Sequence, residues 1–249
     1  MIFEDDRQSI QPLQESLDIA QKQRDRLGEA RAFCDLGDAY SSLKQYKRGI
    51  QFYQQALKIF QEIGERQGEV DCYIDLGIIC FDLKQYEKMI GYLQQSLEIA
   101  RAINDGEGEA ISLGNLGVAY YLVGQYGLAI QFHQQNLRIS RAIGDRQGES
   151  VAYSGLGKVY AALGEFGRAI FCHQQYLAIA RDIGEPHGEA DALFNIAKAL
   201  SRLDKNSEAI TTYQQARDRF QAMGLNHGVR DCDRAIEGLS CPSSLTDDI

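Results

Sequence analysis

The chain has 249 residues, is 44% hydrophobic and carries a formal net charge of −9, which fits a protein that buries a core. A sequence pI of about 5.0 argues against a general nucleic-acid binder or a protein held on anionic lipid, because both need a basic face. No stretch approaches the roughly 20 apolar residues of a bilayer-crossing helix. The opening MIFEDDRQSI is acidic and lacks a signal peptide's apolar segment, so a cytoplasmic location is expected.

Internal repetition organises the rest. Glycine recurs every forty residues, at Gly28, Gly68, Gly108, Gly148, Gly188 and Gly228, and the first five are each followed by glutamate. Between these marks the text nearly repeats: LGDAYSSLKQY, LGIICFDLKQY, LGVAYYLVGQY and LGKVYAALGEF fall at one phase, and QQALKIF, QQSLEIA, QQNLRIS, QQYLAIA and QQARDRF at another.

In chain order, residues 1–9 are an extension and 10–27 form one helix, a half repeat that matches the second helix of a later unit. Five full units follow at 28–67, 68–107, 108–147, 148–187 and 188–227. Residues 228–239 form a C-terminal capping helix, and 240–249 are expected to be a disordered tail. The half repeat at the start is either a cap or the sign of a longer protein.

Each unit holds two helix patterns. In the first unit Ala32, Phe33, Leu36, Ala39, Tyr40 and Leu43 step by three and four, which is helical spacing. Ile50, Tyr53, Leu57 and Phe60 step likewise in the second pattern, from about Tyr46 to Ile63. Gly64, Gly144, Gly184 and Gly224 suit the left-handed ends of second helices. Pro12 is expected in an early helical turn and Pro186 in a loop. Gly37, Gly77, Gly117, Gly157 and Ala197 share one position, and Gly49, Ala129, Ala169 and Ala209 another, with Met89 as the exception. Glycine inside a helix costs about 1 kcal/mol relative to alanine, so close helix approach must outweigh propensity there.

These positions resemble the tetratricopeptide repeat signature. In the first unit it is carried by Phe33, Leu36, Gly37, Tyr40, Gly49, Tyr53 and Ala56. In the fourth it is carried by Tyr153, Leu156, Gly157, Tyr160, Ala169, His173 and Tyr176. The forty-residue period, longer than the usual 34, is similar to Pins/LGN-type adaptors and kinesin light chain repeats. The resemblance covers residues 10–239. It implies an all-α, right-handed superhelical α-solenoid of helix-turn-helix repeats, with first helices lining a concave groove that binds extended or helical peptides.

On that implied geometry the groove presents Asp38 in unit one, Asp75, Ile78 and Phe81 in unit two, and Asn115, Val118 and Tyr121 in unit three. Lys158 follows in unit four, then Asn195, Lys198 and Arg202 in unit five. Its character runs from acidic through apolar to basic. The expected partner is a protein or peptide with an apolar centre and an acidic end directed toward repeats four and five. Ile74, Ile78 and Phe81 either meet that ligand or pack against neighbouring helices. Cys34 and Asp38 replace the residues with which chaperone-binding relatives clamp a carboxylate, and Asp38 would repel one.

No catalytic site, cofactor or metal is expected. There is no phosphate-cradling loop, GxSxG or HExxH. The histidines recur at the repeat interval (His133 with His173, His187 with His227), as packing or surface residues do. Six cysteines lack zinc-ligand spacing and read as free thiols. The glutamates after the repeated glycines read as first-turn charge. A peptide-binding scaffold leads this reading. The alternatives are a sensor or docking segment of a larger signalling protein, and a self-assembling repeat module.

Overall fold

A computed structural model describes residues 4–240, with side chains from Ile10 onward. The described chain is all α, in twelve helices. α1 is Glu4–Gln23, α2 Arg26–Ser42, α3 Tyr46–Ile63, α4 Arg66–Asp82, α5 Tyr86–Ile103 and α6 Gly106–Leu122. α7 is Tyr126–Ile143, α8 Arg146–Ala162, α9 Phe166–Asp182, α10 Pro186–Ser201, α11 Asn206–Ala222 and α12 Asn226–Ser240. The contacts divide the array into two compact units, with the division between Val123 and Gly124. In the first, α2 packs on α3 and α4 on α5; in the second, α8 packs on α9 and α10 on α11. α1 lies on α2, and α12 on α11.

A left-handed residue recurs every twenty positions, wherever one helix turns into the next. Gly64, Gly124, Gly144, Gly164, Gly184 and Gly224 supply six of these, but Arg24, Lys44, Lys84, Asn104 and Asp204 hold the same conformation with φ between 55° and 59°. The period alone therefore sets the chain reversal, and a non-glycine residue there is strained.

The small-residue positions hold the helices close. A Cβ on Gly37 would lie 2.9 Å from the Tyr53 ring, and one on Gly157 2.6 Å from His173 Nε2. Met89, the exception in its row, is itself 2% exposed. One core cluster joins Phe33, Leu36 and Tyr40 of α2 to Ile59 and Phe60 of α3. Another joins Leu193, Ile196 and Leu200 of α10 to Tyr213 and Phe220 of α11.

Two proline expectations need correction. α1 begins at Glu4 rather than near residue 10, so Pro12 sits inside the helix. Pro186 opens α10, where its missing N–H is one a helix start leaves unpaired anyway. The expected tail, apart from Ser240 at the end of α12, lies outside the described residues, as does Cys241.

Candidate functional site

The first helices position the candidate residues. α2, α4, α6 and α8 end on a leucine or valine whose N–H closes the last turn. At their starts Asp25, Glu65, Asp105 and Asp145 accept from the N–H of the glycine three residues on. Gly28 to Asp25 is 2.9 Å and Gly108 to Asp105 3.0 Å. A Cβ at Gly28, Gly108 or Gly148 would collide with this capping side chain, and one at Gly68 or Gly228 with the Phe60 or Phe220 ring; sequence reasoning overlooked the cap. For the four capped helices the signal was present in the side-chain acceptor three residues ahead of the glycine. The following glutamates take arginine partners: Arg66 with Glu69 at 2.8 Å, Arg101 with Glu109 at 2.7 Å, and Arg146 with Glu149 at 3.0 Å.

In the first unit α2, α3 and α4 gather an acidic patch. The Tyr53 hydroxyl donates to Asp38, and burial followed by this bond raises the phenol. Asp75 is half-buried. Burial first, then the charges of Asp38 and Asp71, push its carboxyl up to about 7. Asp35 is raised by burial and by Asp38, and Asp71 by burial and by neighbouring carboxylates. One helical turn beyond Asp75, Ile78 is 46% exposed and Phe81 42%. Ile74, offered alongside them from sequence, is 8% exposed and packs in the core. On α6, Asn115, Val118 and Tyr121 are half-buried, and Ile111 is 42% exposed.

In the second unit Lys158 of α8 and Lys198 of α10 are exposed at equivalent repeat positions. Arg202 lies over the Phe166 ring, 5.6 Å from its centroid. Asn195 spends its amide N–H on the Asp191 carbonyl at 2.8 Å. His133 and His173 pack against the α8 backbone at Gly155 and Gly157. Each is 1% exposed and leaves Nδ1 without a partner. Burial, then the Lys158 charge, lowers both to about 4, so they are neutral packing groups near pH 7. His187 and His227 instead face Asp191 and Asp231 at 3.5 and 3.0 Å on the surface.

The candidates thus fall into an acidic and apolar set on α2, α4 and α6, and a basic set on α8 and α10 with Arg202 just beyond it. A feature absent from the sequence reading is a cavity of about 740 Å³ in the second unit, lined by Ile170, Ile196, Leu200, Leu203 and Thr211. No helix among the described residues is long and apolar enough to cross a membrane.

Several solved structures share this fold. BtubC (BKLC) from P. vanneervenii aligns with a TM-score of 0.80 at 16% identity, over 88% of this chain and 92% of its own. A Rap protein complexed with Competence and Sporulation Factor aligns at 0.62 and 16% identity, over 86% of this chain and 64% of its own. A signal transduction ATPase with numerous domains and a tetratricopeptide repeat sensor, from Pyrococcus horikoshii, aligns at 0.66 and 17%, over 86% of this chain and 37% of its own. No curated protein matches the chain. The tetratricopeptide repeat profile matches residues 4–62, 69–142, 115–182 and 150–222, and with the paired helices and their small-residue contacts it makes the chain a member of the tetratricopeptide repeat family.

Proposed function

We propose that this chain is a non-catalytic scaffold, working in the cytoplasm, that holds a peptide or helical segment of a partner protein against its first helices. The observation that carries this reading is the exposure of Ile78 and Phe81 on a helix whose remaining apolar side chains are mostly buried. Contiguous apolar surface rimmed by polar residues marks an interaction site, whereas single exposed hydrophobics do not. Asp38 and Asp75 stand beside them, and Asp75 is held in a state that a cationic side chain of a ligand would relieve. Lys158, Lys198 and Arg202 supply the opposite charge in the second unit, and suit an acidic segment of a ligand. Apolar anchors would give affinity, and the charges direction and on-rate. The Rap protein, whose structure holds Competence and Sporulation Factor, is a precedent for this fold in complex with a bound factor.

The test is fluorescence anisotropy with synthetic peptides that share an apolar centre and differ in which end is acidic. Tight binding of one polarity, weakened at least tenfold in an Ile78→Glu/Phe81→Glu variant, supports the reading. Equal binding of both polarities, unchanged in a Lys158→Glu/Lys198→Glu variant, defeats the polarity. Loss of monomer with rising concentration, read by light scattering, would favour self-assembly instead. A second reading, a sensor segment of a larger signalling protein, draws on the Pyrococcus horikoshii ATPase with its repeat sensor, of which this chain spans 37%.

A further inference from the structure

Cys34 and Cys72 belong to different repeats, yet their sulfurs lie 3.6 Å apart. The repeat itself does not call for thiols there. The equivalents of Cys34 are Ile74, Gly114, Ser154 and Phe194, and those of Cys72 are Ala32, Ser112, Ala152 and Ala192. The two positions are thirty-eight residues apart rather than forty. The Cys34 side chain packs against its own repeat's cluster of Ala32, Phe33 and Leu36 and also forward, against that of Tyr53, Leu76 and Ile79. The Cys72 side chain packs backward, within the cluster of Ala32, Phe33 and Leu36. They therefore meet between α2 and α4, beside the acidic patch. Cys34 is half-buried and Cys72 fully buried. Cys80, Cys172 and Cys232 are also buried and free.

We propose that Cys34 and Cys72 form an oxidisable dithiol, converted by hydroperoxides into a disulfide that ties α2 to α4. The Cys34 thiolate attacks one peroxide oxygen. The O–O bond breaks, hydroxide leaves, and Cys34 becomes a sulfenic acid. Cys72 then gives up its proton and attacks the Cys34 sulfur. The S–O bond breaks, and the departing hydroxide takes that proton as water. Two thiols and one hydrogen peroxide yield one disulfide and two waters. The half-exposed sulfur meets the oxidant and the buried one resolves it, as where an accessible cysteine stands next to a resolving one. The Cys34 contact first, then burial and the charges of Asp75 and Asp71, disfavour the Cys72 thiolate, so resolution is slow at neutral pH and quickens in alkali. Closing the sulfurs from 3.6 Å to about 2.0 Å draws the inner faces of α2 and α4 together. The site requires nothing of what the scaffold binds.

The test treats the full folded chain with hydrogen peroxide, quenches with an alkylating reagent and maps cysteine-containing peptides by mass. The expected product is a single Cys34–Cys72 linkage, reversed by dithiothreitol and accompanied by a Tm increase of roughly 5–10 °C. In Cys72→Ser the reaction should stop at a sulfenic acid on Cys34 that dimedone traps. In Cys34→Ser, Cys72 should stay reduced. A Cys34 sulfinic acid beside an intact Cys72 thiol, a linkage between any other pair, or no reaction in the folded chain would each overturn the proposal.

Discussion

Replacing Asp75 with asparagine should stabilise the protein, and the gain should depend on pH with a defined sign. The carboxyl is pushed up to about 7 in the fold, against about 3.9 in an unfolded chain. A raised folded value means that the native state binds the proton more tightly. Its contribution to stability is therefore complete below about pH 4 and lost as pH rises through 7. Three pH units at about 1.4 kcal/mol each give an upper figure of about 4 kcal/mol for the burden of the ionised group at pH 8. The asparagine side chain would keep the shape without the charge. Urea unfolding of wild type and Asp75→Asn should show the variant about 2–4 kcal/mol more stable at pH 8 and nearly level at pH 4. A variant that is level with or less stable than wild type at pH 8 would refute the electrostatic reading of the patch.

The buried imidazoles respond in the opposite direction. His133 and His173 are lowered to about 4, so the stability they contribute is present above about pH 6.5 and lost as pH falls toward 4, by up to about 3 kcal/mol each; two-dimensional NMR should show resonances of α7–α9 weakening first on acidification. Gly157→Ala places a Cβ against His173 and should cost about 1–3 kcal/mol, whereas Gly91→Ala in α5 meets open space and should gain up to about 1 kcal/mol, both read by urea unfolding. Lys44→Gly and Lys84→Gly relieve left-handed strain at positions where other repeats carry glycine and should each raise stability by about 0.5–1 kcal/mol in thermal melts.

Much of the fold was legible because it is periodic. The forty-residue interval and the steps of three and four placed α3 at Tyr46–Ile63, where the structure has it. The glycines at 37 and 157 identified contacts that prove to lie under Tyr53 and His173. What periodicity hides is the register between helices. Ile74 and Ile78 sit about one turn apart on nearly the same side of α4, yet one is core and the other exposed, because burial is decided by what the neighbouring helices cover at each level of the helix. The meeting of Cys34 with Cys72 depends on the same register, at a separation that no repeat comparison brings together. The left-handed turns at Lys44, Lys84 and Asp204 carry no local glycine signal and are imposed by the helices on either side. The boundary of α1 was misplaced because residues 6–9, DRQS, hold the positions of YKRG at 46–49 without resembling them.

The most direct measurement of the central claim is hydrogen exchange of the chain with and without the tightest-binding peptide from the polarity series. The account predicts slowed exchange on α4 and α6 around Ile78, Phe81 and Val118, and on α8 and α10 around Lys158 and Lys198. Protection confined to α9 and α11 around the cavity at Ile170 and Thr211, with the first helices unchanged, would contradict it.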